Sequence, residues 1–252
     1  PRERPNSVPY QAGLPKAMTD LTLVVPFNDA DLLEQRIAEM DGKVACVLME
    51  AAMMNIGVVL PMEGYLQRVR EICNRWGVIL IFDEVKTNTT AGPGGATGYF
   101  GVKPDMVTLG KCFGGGLPVG AVGMSEAIAQ HVVDGHPPMV GTFNGNPVCM
   151  AAARATLQDI MTPAAYAELD RLTDRLRKGC EDIINKYEFG AHVVTLGAKG
   201  AVTFAPTPLV DYRDFKARVD FAVEELAWLY HMNNGIWMTP GVDEEWTLSV
   251  QH

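Results

Sequence analysis

Two side chains in this sequence could do covalent and acid–base chemistry together, Lys111 and Asp83. Lys111 stands in Val107-Thr-Leu-Gly-Lys-Cys-Phe-Gly-Gly-Gly-Leu-Pro-Val-Gly-Ala121, where an apolar run delivers the chain to an amine and the glycines at 114–116 follow. Lysines usually point into water. Three glycines in succession are entropically expensive, however, and allow a backbone to approach a bulky ligand. Asp83 closes the apolar run Val78-Ile-Leu-Ile-Phe82. Burying that carboxylate unpaired is costly or raises its pKa, so a cationic or proton-donating group should face it. A helix cap or an ion pair with a neighbouring lysine would serve equally well.

Gly110-Lys111 has the dipeptide of a phosphate loop, but Asp105 and Cys112 stand where that pattern needs Gly and Ser or Thr. Neither glycine cluster, 92–98 or 114–120, has dinucleotide spacing. A buried aspartate and a lysine amine at one sheet edge suit pyridoxal phosphate. There the lysine condenses with the aldehyde and the carboxylate keeps the pyridine nitrogen protonated.

The elements that must position these groups follow from periodicity. Residues 21–25 read as a strand, and Asn28 or Asp29 can cap a helix with Leu33, Ile37 and Met40 on one face. Residues 44–49 form a buried strand ending at Glu50, and 63–76 a helix with Tyr65, Val69, Ile72 and Trp76 in register, stopped by Gly77. With 78–82 this makes a βαβ unit whose parallel strands are buried on both faces. Ligands of such sheets bind beyond the strand carboxyl ends, where Glu50, Asp83 and Lys111 fall. Residues 87–98 look like a loop, 106–109 and 119–124 like strands, the latter before a helix capped by Ser125. A turn at 144–147 opens a helix to about Met161, and Pro163 starts a long helix to about Tyr187 that buries Tyr166, Leu169, Leu172, Leu176 and Ile183. Strands at 193–196 and 201–204 and a helix at about 214–231 form a smaller α+β unit.

The 252 residues are 48% hydrophobic and 20% charged, with a formal net charge of -9 and no basic run. That composition excludes a nucleic-acid or anionic-membrane surface and points to a small-molecule partner. The five cysteines have neither zinc spacing nor paired motifs, so no metal is expected and the thiols read as reduced in a cytoplasmic protein. No apolar stretch is long enough to span a bilayer.

Four motifs in order resemble the class III (subgroup II) aminotransferases, in particular glutamate-1-semialdehyde aminomutase-like members. They are Glu50-Ala-Ala-Met-Met-Asn-Ile-Gly57, Ile81-Phe-Asp-Glu-Val85, Leu109-Gly-Lys-Cys-Phe-Gly-Gly-Gly116 and Gly141-Thr-Phe-Asn-Gly-Asn-Pro147. The resemblance implies an α/β protein of fold type I, with a largely parallel sheet in residues 1–160 and a linking helix plus part of a small α+β domain in 161–252. It implies pyridoxal phosphate as cofactor, with Lys111 as its covalent partner and proton shuttle, Asp83 on the ring nitrogen, Val85 on a ring face and Asn55 on the phenolic oxygen. Thr142 would bind the phosphate of the cofactor in the other subunit, making a homodimer part of the site. Glu50 lies on the substrate side or makes a structural hydrogen bond, and Met53 and Met54 are pocket wall or core.

Two departures from the family pattern concern the substrate side. Ala51 replaces a usual proline, and Lys86-Thr-Asn-Thr-Thr90 stands where relatives carry an aromatic residue and an arginine, so that carboxylate recognition differs and residues 87–90 become candidate pocket wall. The family's phosphate cup and ring-stacking aromatic precede Pro1, so the chain reads as an internal piece of a longer enzyme. Its expected reaction is transfer of an amino group between an amine or amino acid and a keto acid or aldehyde. An intramolecular aminomutase, or a non-catalytic fragment, are the alternatives.

Overall fold

A computed structural model of the protein describes Pro5 and residues 7–9, 12–240 and 245–252. After a single turn, α1 (Lys16–Thr19), the chain enters α2 (Ala30–Glu39), β1 (Cys46–Met49), α3 (Tyr65–Trp76) and β2 (Ile79–Asp83). Asp29 caps α2 by accepting from Leu32 N at 3.0 Å, and Gly77, with φ of 64°, ends α3 in the left-handed region that favours glycine. Strands β3 (Met106–Leu109) and β4 (Ala121–Met124) complete a sheet of order β1-β2-β3-β4. The first two pairings are parallel and β3 runs antiparallel to β4, so the expected largely parallel α/β sheet is present with one antiparallel edge strand.

Register divides the sheet into two unlike faces. Val47, Met49, Leu80, Phe82 and Val107 lie on one face and pack with Leu33 and Ile37 of α2 and with Leu66, Val69, Ile72 and Cys73 of α3. The wholly buried side chains of Leu80, Phe82, Val69 and Ile72 each contribute about 1.5–3 kcal/mol. On the other face Cys46, Leu48, Ile79 and Val122 are exposed, so burial on both faces does not hold for the described residues. Asp83 and Thr108, paired across β2 and β3, belong to this open face.

Other expectations are corrected. Residues 21–25 form no strand and run as irregular chain, with Val25 packed against the core. Trp76 is exposed, since the buried stripe of α3 runs through Leu66 and Cys73 instead. Part of the expected loop at 87–98 is helix α4 (Gly95–Phe100).

Helix α5 (Glu126–Val133) lacks a side-chain cap from Ser125, whereas Asn146 caps α6 (Pro147–Ala155), which runs on as a wider π turn to Ile160. Helix α7 (Pro163–Tyr187) has its expected bounds, capped by Thr162, but Leu176 and Ile183 are exposed and only its first half reaches the core. Strands β5 (His192–Leu196), β6 (Lys199–Thr203) and β7 (Trp246–Thr247) form an antiparallel sheet. The single helix expected at 214–231 is two, α8 (Tyr212–Arg218) and α9 (Phe221–Asn233), because Val219 leaves helical geometry and Asp220 caps a fresh start. The segment after β1 joins the two sheets. Ile56 and Val59 pack with Ala205, Leu209 and Phe215, and Met54 packs with Leu196 and Ala201.

Candidate functional site

Asp83 ends β2 with one carboxylate oxygen fixed. Its Oδ1 accepts from Val85 N at 2.9 Å and from Thr108 Oγ1 at 3.0 Å. Among the described residues Oδ2 receives no hydrogen bond and no cation pairs with the group, so Asp83 is neither the helix cap nor the ion-pair member that its sequence setting allowed. Half-buried at the carboxyl edge of an open face, it presents an acceptor outward.

On the neighbouring strand, β3 ends at Leu109, Gly110 follows in extended conformation, and Lys111 begins a short 3-10 turn to Gly114. Lys111 has φ of 52°, a region side-chain-bearing residues seldom occupy and one that gathers at functional sites. Its side chain is exposed and makes no hydrogen bond or ion pair among the described residues.

Two of the glycines after it are closely packed. A Cβ on Gly115 (φ 60°) would lie 2.1 Å from Thr156 Oγ1, and one on Gly114 would press within 3.1 Å of Val119, whereas Gly116 faces open space. They therefore seat the lysine turn against α6 and the π turn that follows it. On the other side a Cβ on Gly110 would stand in ordinary contact, 3.5 Å, with Val85 Cγ1. Val85 is thus beside the approach to Lys111.

Residues 84–91 are the crossroads of the region, and sequence reasoning undervalued them. The expected pocket wall at 87–90 is buried. Asn88 Nδ2 donates to the Glu84, Val85 and Gly110 carbonyls, Thr89 Oγ1 lies 2.9 Å from Cys112 Sγ, and Thr90 O accepts from Ala198 N at 2.8 Å. Glu84 is also buried, and its carboxylate accepts from Ala96 N and Thr97 N, each at 2.8 Å, and from the Thr97 hydroxyl. A carboxylate there satisfies free amides at the start of α4 and suits the helix dipole. Glycine at 95 is required, since φ is 60° and a Cβ would collide with Glu84 Oε2. The acidic residue ten positions before the Gly94-Gly-Ala-Thr97 helix start was the available signal.

Glu50 follows β1 and its Oε2 accepts from Met54 N at 3.3 Å, the structural hydrogen bond allowed for it. Burial pushes its pKa up to about 7, and the nearby charges of Asp83 and Glu245 add to this while the Met54 amide and Lys86 oppose it. Lys86 Nζ donates to Met54 O at 2.6 Å and pairs with Glu245 at 3.1 Å. The same carboxylate pairs with Lys199 at 2.6 Å.

Met54 is wholly buried and so belongs to the core rather than a pocket wall, while Met53 is half-buried and bridges to Val59. Asn55 is exposed on the turn that follows, with no hydrogen bond among the described residues. Thr142 is likewise exposed, between exposed Val140 and Phe143. All five cysteines are free, and burial pushes Cys73 up to about 11. No helix of the described residues is long and apolar enough to cross a membrane.

Known proteins share this fold. The aminotransferase class-III family model matches residues 4–239. A glutamate-1-semialdehyde 2,1-aminomutase of Anaeromyxobacter sp. is 37% identical over 248 residues, which are 97% of this chain and 57% of that protein. The crystal structure of an omega-transaminase from Sphaerobacter thermophilus superposes with a TM-score of 0.90 at 33% identity, over 99% of this chain and 57% of that one. A glutamate-1-semialdehyde aminomutase from Pseudomonas aeruginosa gives 0.82 at 32%, over 90% and 52%. The chain thus spans about 57% of the length of the curated relatives it matches. With a match across most of its length and the motif residues Asp83 and Lys111 leaving adjacent strands at one sheet edge, this chain belongs to the class III aminotransferase family.

Proposed function

We propose that the protein is a pyridoxal-phosphate-dependent aminotransferase, cytoplasmic and homodimeric, that moves an amino group between an amine or amino acid and a keto acid or aldehyde. The observation that carries this reading is the Asp83–Lys111 pair. An acceptor oxygen without a donor and an amine without a partner, among the described residues, leave neighbouring strands at the same edge of the sheet.

The residues present fit the cofactor. Bound there, pyridoxal phosphate supplies an aldehyde that takes up amines and a ring that draws electrons from the substrate carbon. Asp83 Oδ2 is the acceptor for a protonated ring nitrogen, and Val85 offers an apolar surface beside Gly110. Asn55, exposed on its turn, is a donor for the phenolic oxygen. Lys111 would hold the cofactor through its amine and would serve as the base that moves a proton to and from the substrate carbon. Thr142 reaches the phosphate site of the partner subunit, a reading supported by its exposure among the uncovered apolar side chains of Val140, Phe143 and Val148.

The test is chemical. Protein purified with pyridoxal phosphate should absorb in the visible, and borohydride should fix the cofactor's mass on Lys111. Lys111→Ala should lose both, with turnover down about 10³-fold or more. Full turnover in that variant would sink the reading. A second reading, intramolecular amino exchange, is supported by the 37% identity to an enzyme named as an aminomutase. Offering the amino-loaded protein a panel of keto acids and aldehydes separates them, since only a transaminase requires an external acceptor.

A further inference from the structure

Asn88 is bonded to both halves of the candidate site. Its buried Nδ2 donates to Glu84 O at 2.8 Å and Val85 O at 3.3 Å, in the two residues after Asp83. The same nitrogen donates to Gly110 O at 3.1 Å, in the residue before Lys111. Its two hydrogens are therefore shared among three carbonyls, with Val85 the longest contact. Asn88 Oδ1 accepts from Thr89 N at 2.8 Å, and Thr89 Oγ1 lies 2.9 Å from Cys112 Sγ, in the residue after Lys111. Consecutive residues of one loop thus hold the chain on both sides of a lysine whose φ is 52°. Such a conformation persists only where the surroundings impose it.

Within the reading of Lys111 and Asp83 as groups that meet one cofactor, we propose that Asn88, assisted by Thr89, is a positioning residue. It sets the spacing and direction of the Lys111 amine relative to the Asp83 carboxylate. A ring bound between them must satisfy both groups together, and misplacement of one by about 1 Å lowers the rate of the chemical step on the order of 100-fold. Gly110 O retains a second donor, Phe113 N at 3.1 Å, so removal of the Asn88 amide releases the tie to Asp83's strand without unravelling the 3-10 turn.

The informative variants are Asn88→Asp, which keeps the shape but turns an oxygen toward the three carbonyls, and Asn88→Ala. Thr89→Val keeps its shape and loses only the contact to Cys112, so it carries the test should the Asn88 variants not fold. In the cofactor-loaded protein the readouts are the pH midpoint of the visible absorbance, the fraction of Lys111 fixed by borohydride, and kcat and KM separately. We expect the midpoint to move by about one pH unit. We also expect kcat to fall about 10- to 100-fold while KM stays within about threefold. Folded variants with unchanged midpoint and kcat would show that the amide serves stability alone and would overturn the proposal. If the unaltered protein itself shows no borohydride-fixed Lys111, the cofactor reading fails first. If it does and the variants match it, only the positioning role fails.

Discussion

Glu50 keeps its proton into the neutral range because burial dominates its surroundings, with Asp83 and Glu245 adding to the shift. The sign of its effect on stability follows. A carboxyl near 4.5 when unfolded and near 7 when folded binds more protons in the native state, so its contribution is fully favourable below about pH 4.5 and is lost as pH rises through about 7. Glu224, buried and raised to about 7 mainly by desolvation, acts in the same direction. Glu50→Gln, whose amide oxygen can still accept from Met54 N, should therefore flatten the decline in denaturation midpoint between pH 5 and 8. At pH 8 it should be more stable by about 1–2 kcal/mol after allowance for solvent screening. A steeper decline in urea titrations across that range would contradict the assignment. At this scale Asp83 and Lys111 were legible because an apolar run ending in a charge is unusual in any sequence. Asn88 was not, since its significance lies in a carbonyl 22 residues away that only the fold brings near.

The elements that carry these residues are held by groups outside them. Helix α4 is six residues long, too short to stand alone in water, and its first turn is satisfied by the Glu84 carboxylate from the end of β2. Glu84→Ala leaves the Ala96 and Thr97 amides without that acceptor in a buried setting and should cost about 2–4 kcal/mol, read as a shift of the urea midpoint. Gln in its place should recover part of that loss, because it can accept at one amide without bringing a charge to the helix start. Boundaries marked by local chemistry could be read in advance: Thr162-Pro163 starts α7 and Gly77 ends α3. Those set by distant packing could not. The break between α8 and α9 follows from Phe215 and Val219 entering one core cluster while Asp220 restarts the helix, and Gly114 and Gly115 answer to Val119 and Thr156.

Across the molecule, the two sheets meet through an ion cluster as well as through Met54 and Ile56. Lys86, three residues beyond Asp83, and Lys199 of β6 share the Glu245 carboxylate, and the Lys199 and Glu245 side chains are only 9% and 6% exposed. Lys199 Nζ also donates to Thr247 Oγ1 at 2.9 Å, whereas Glu245 Oε2 is buried without a partner among the described residues. Such a cluster is costly to break and inexpensive to replace whole, because the desolvation of all its members nearly offsets their attraction. Glu245→Gln should destabilise the protein by about 3–5 kcal/mol, as it leaves the buried Lys199 ammonium and the partly buried Lys86 ammonium without their carboxylate. It should also act at Glu50. With one raising charge gone and Lys86 released from its ion pair, the Glu50 pKa should move down from about 7, so that the pH-dependent loss of stability shifts to lower pH. The double variant Lys199→Met with Glu245→Leu should then cost less than the sum of the singles by about 1–3 kcal/mol in a double-mutant cycle. Additive singles, together with an unmoved Glu50 midpoint, would mean that the two sheets are joined by apolar packing alone.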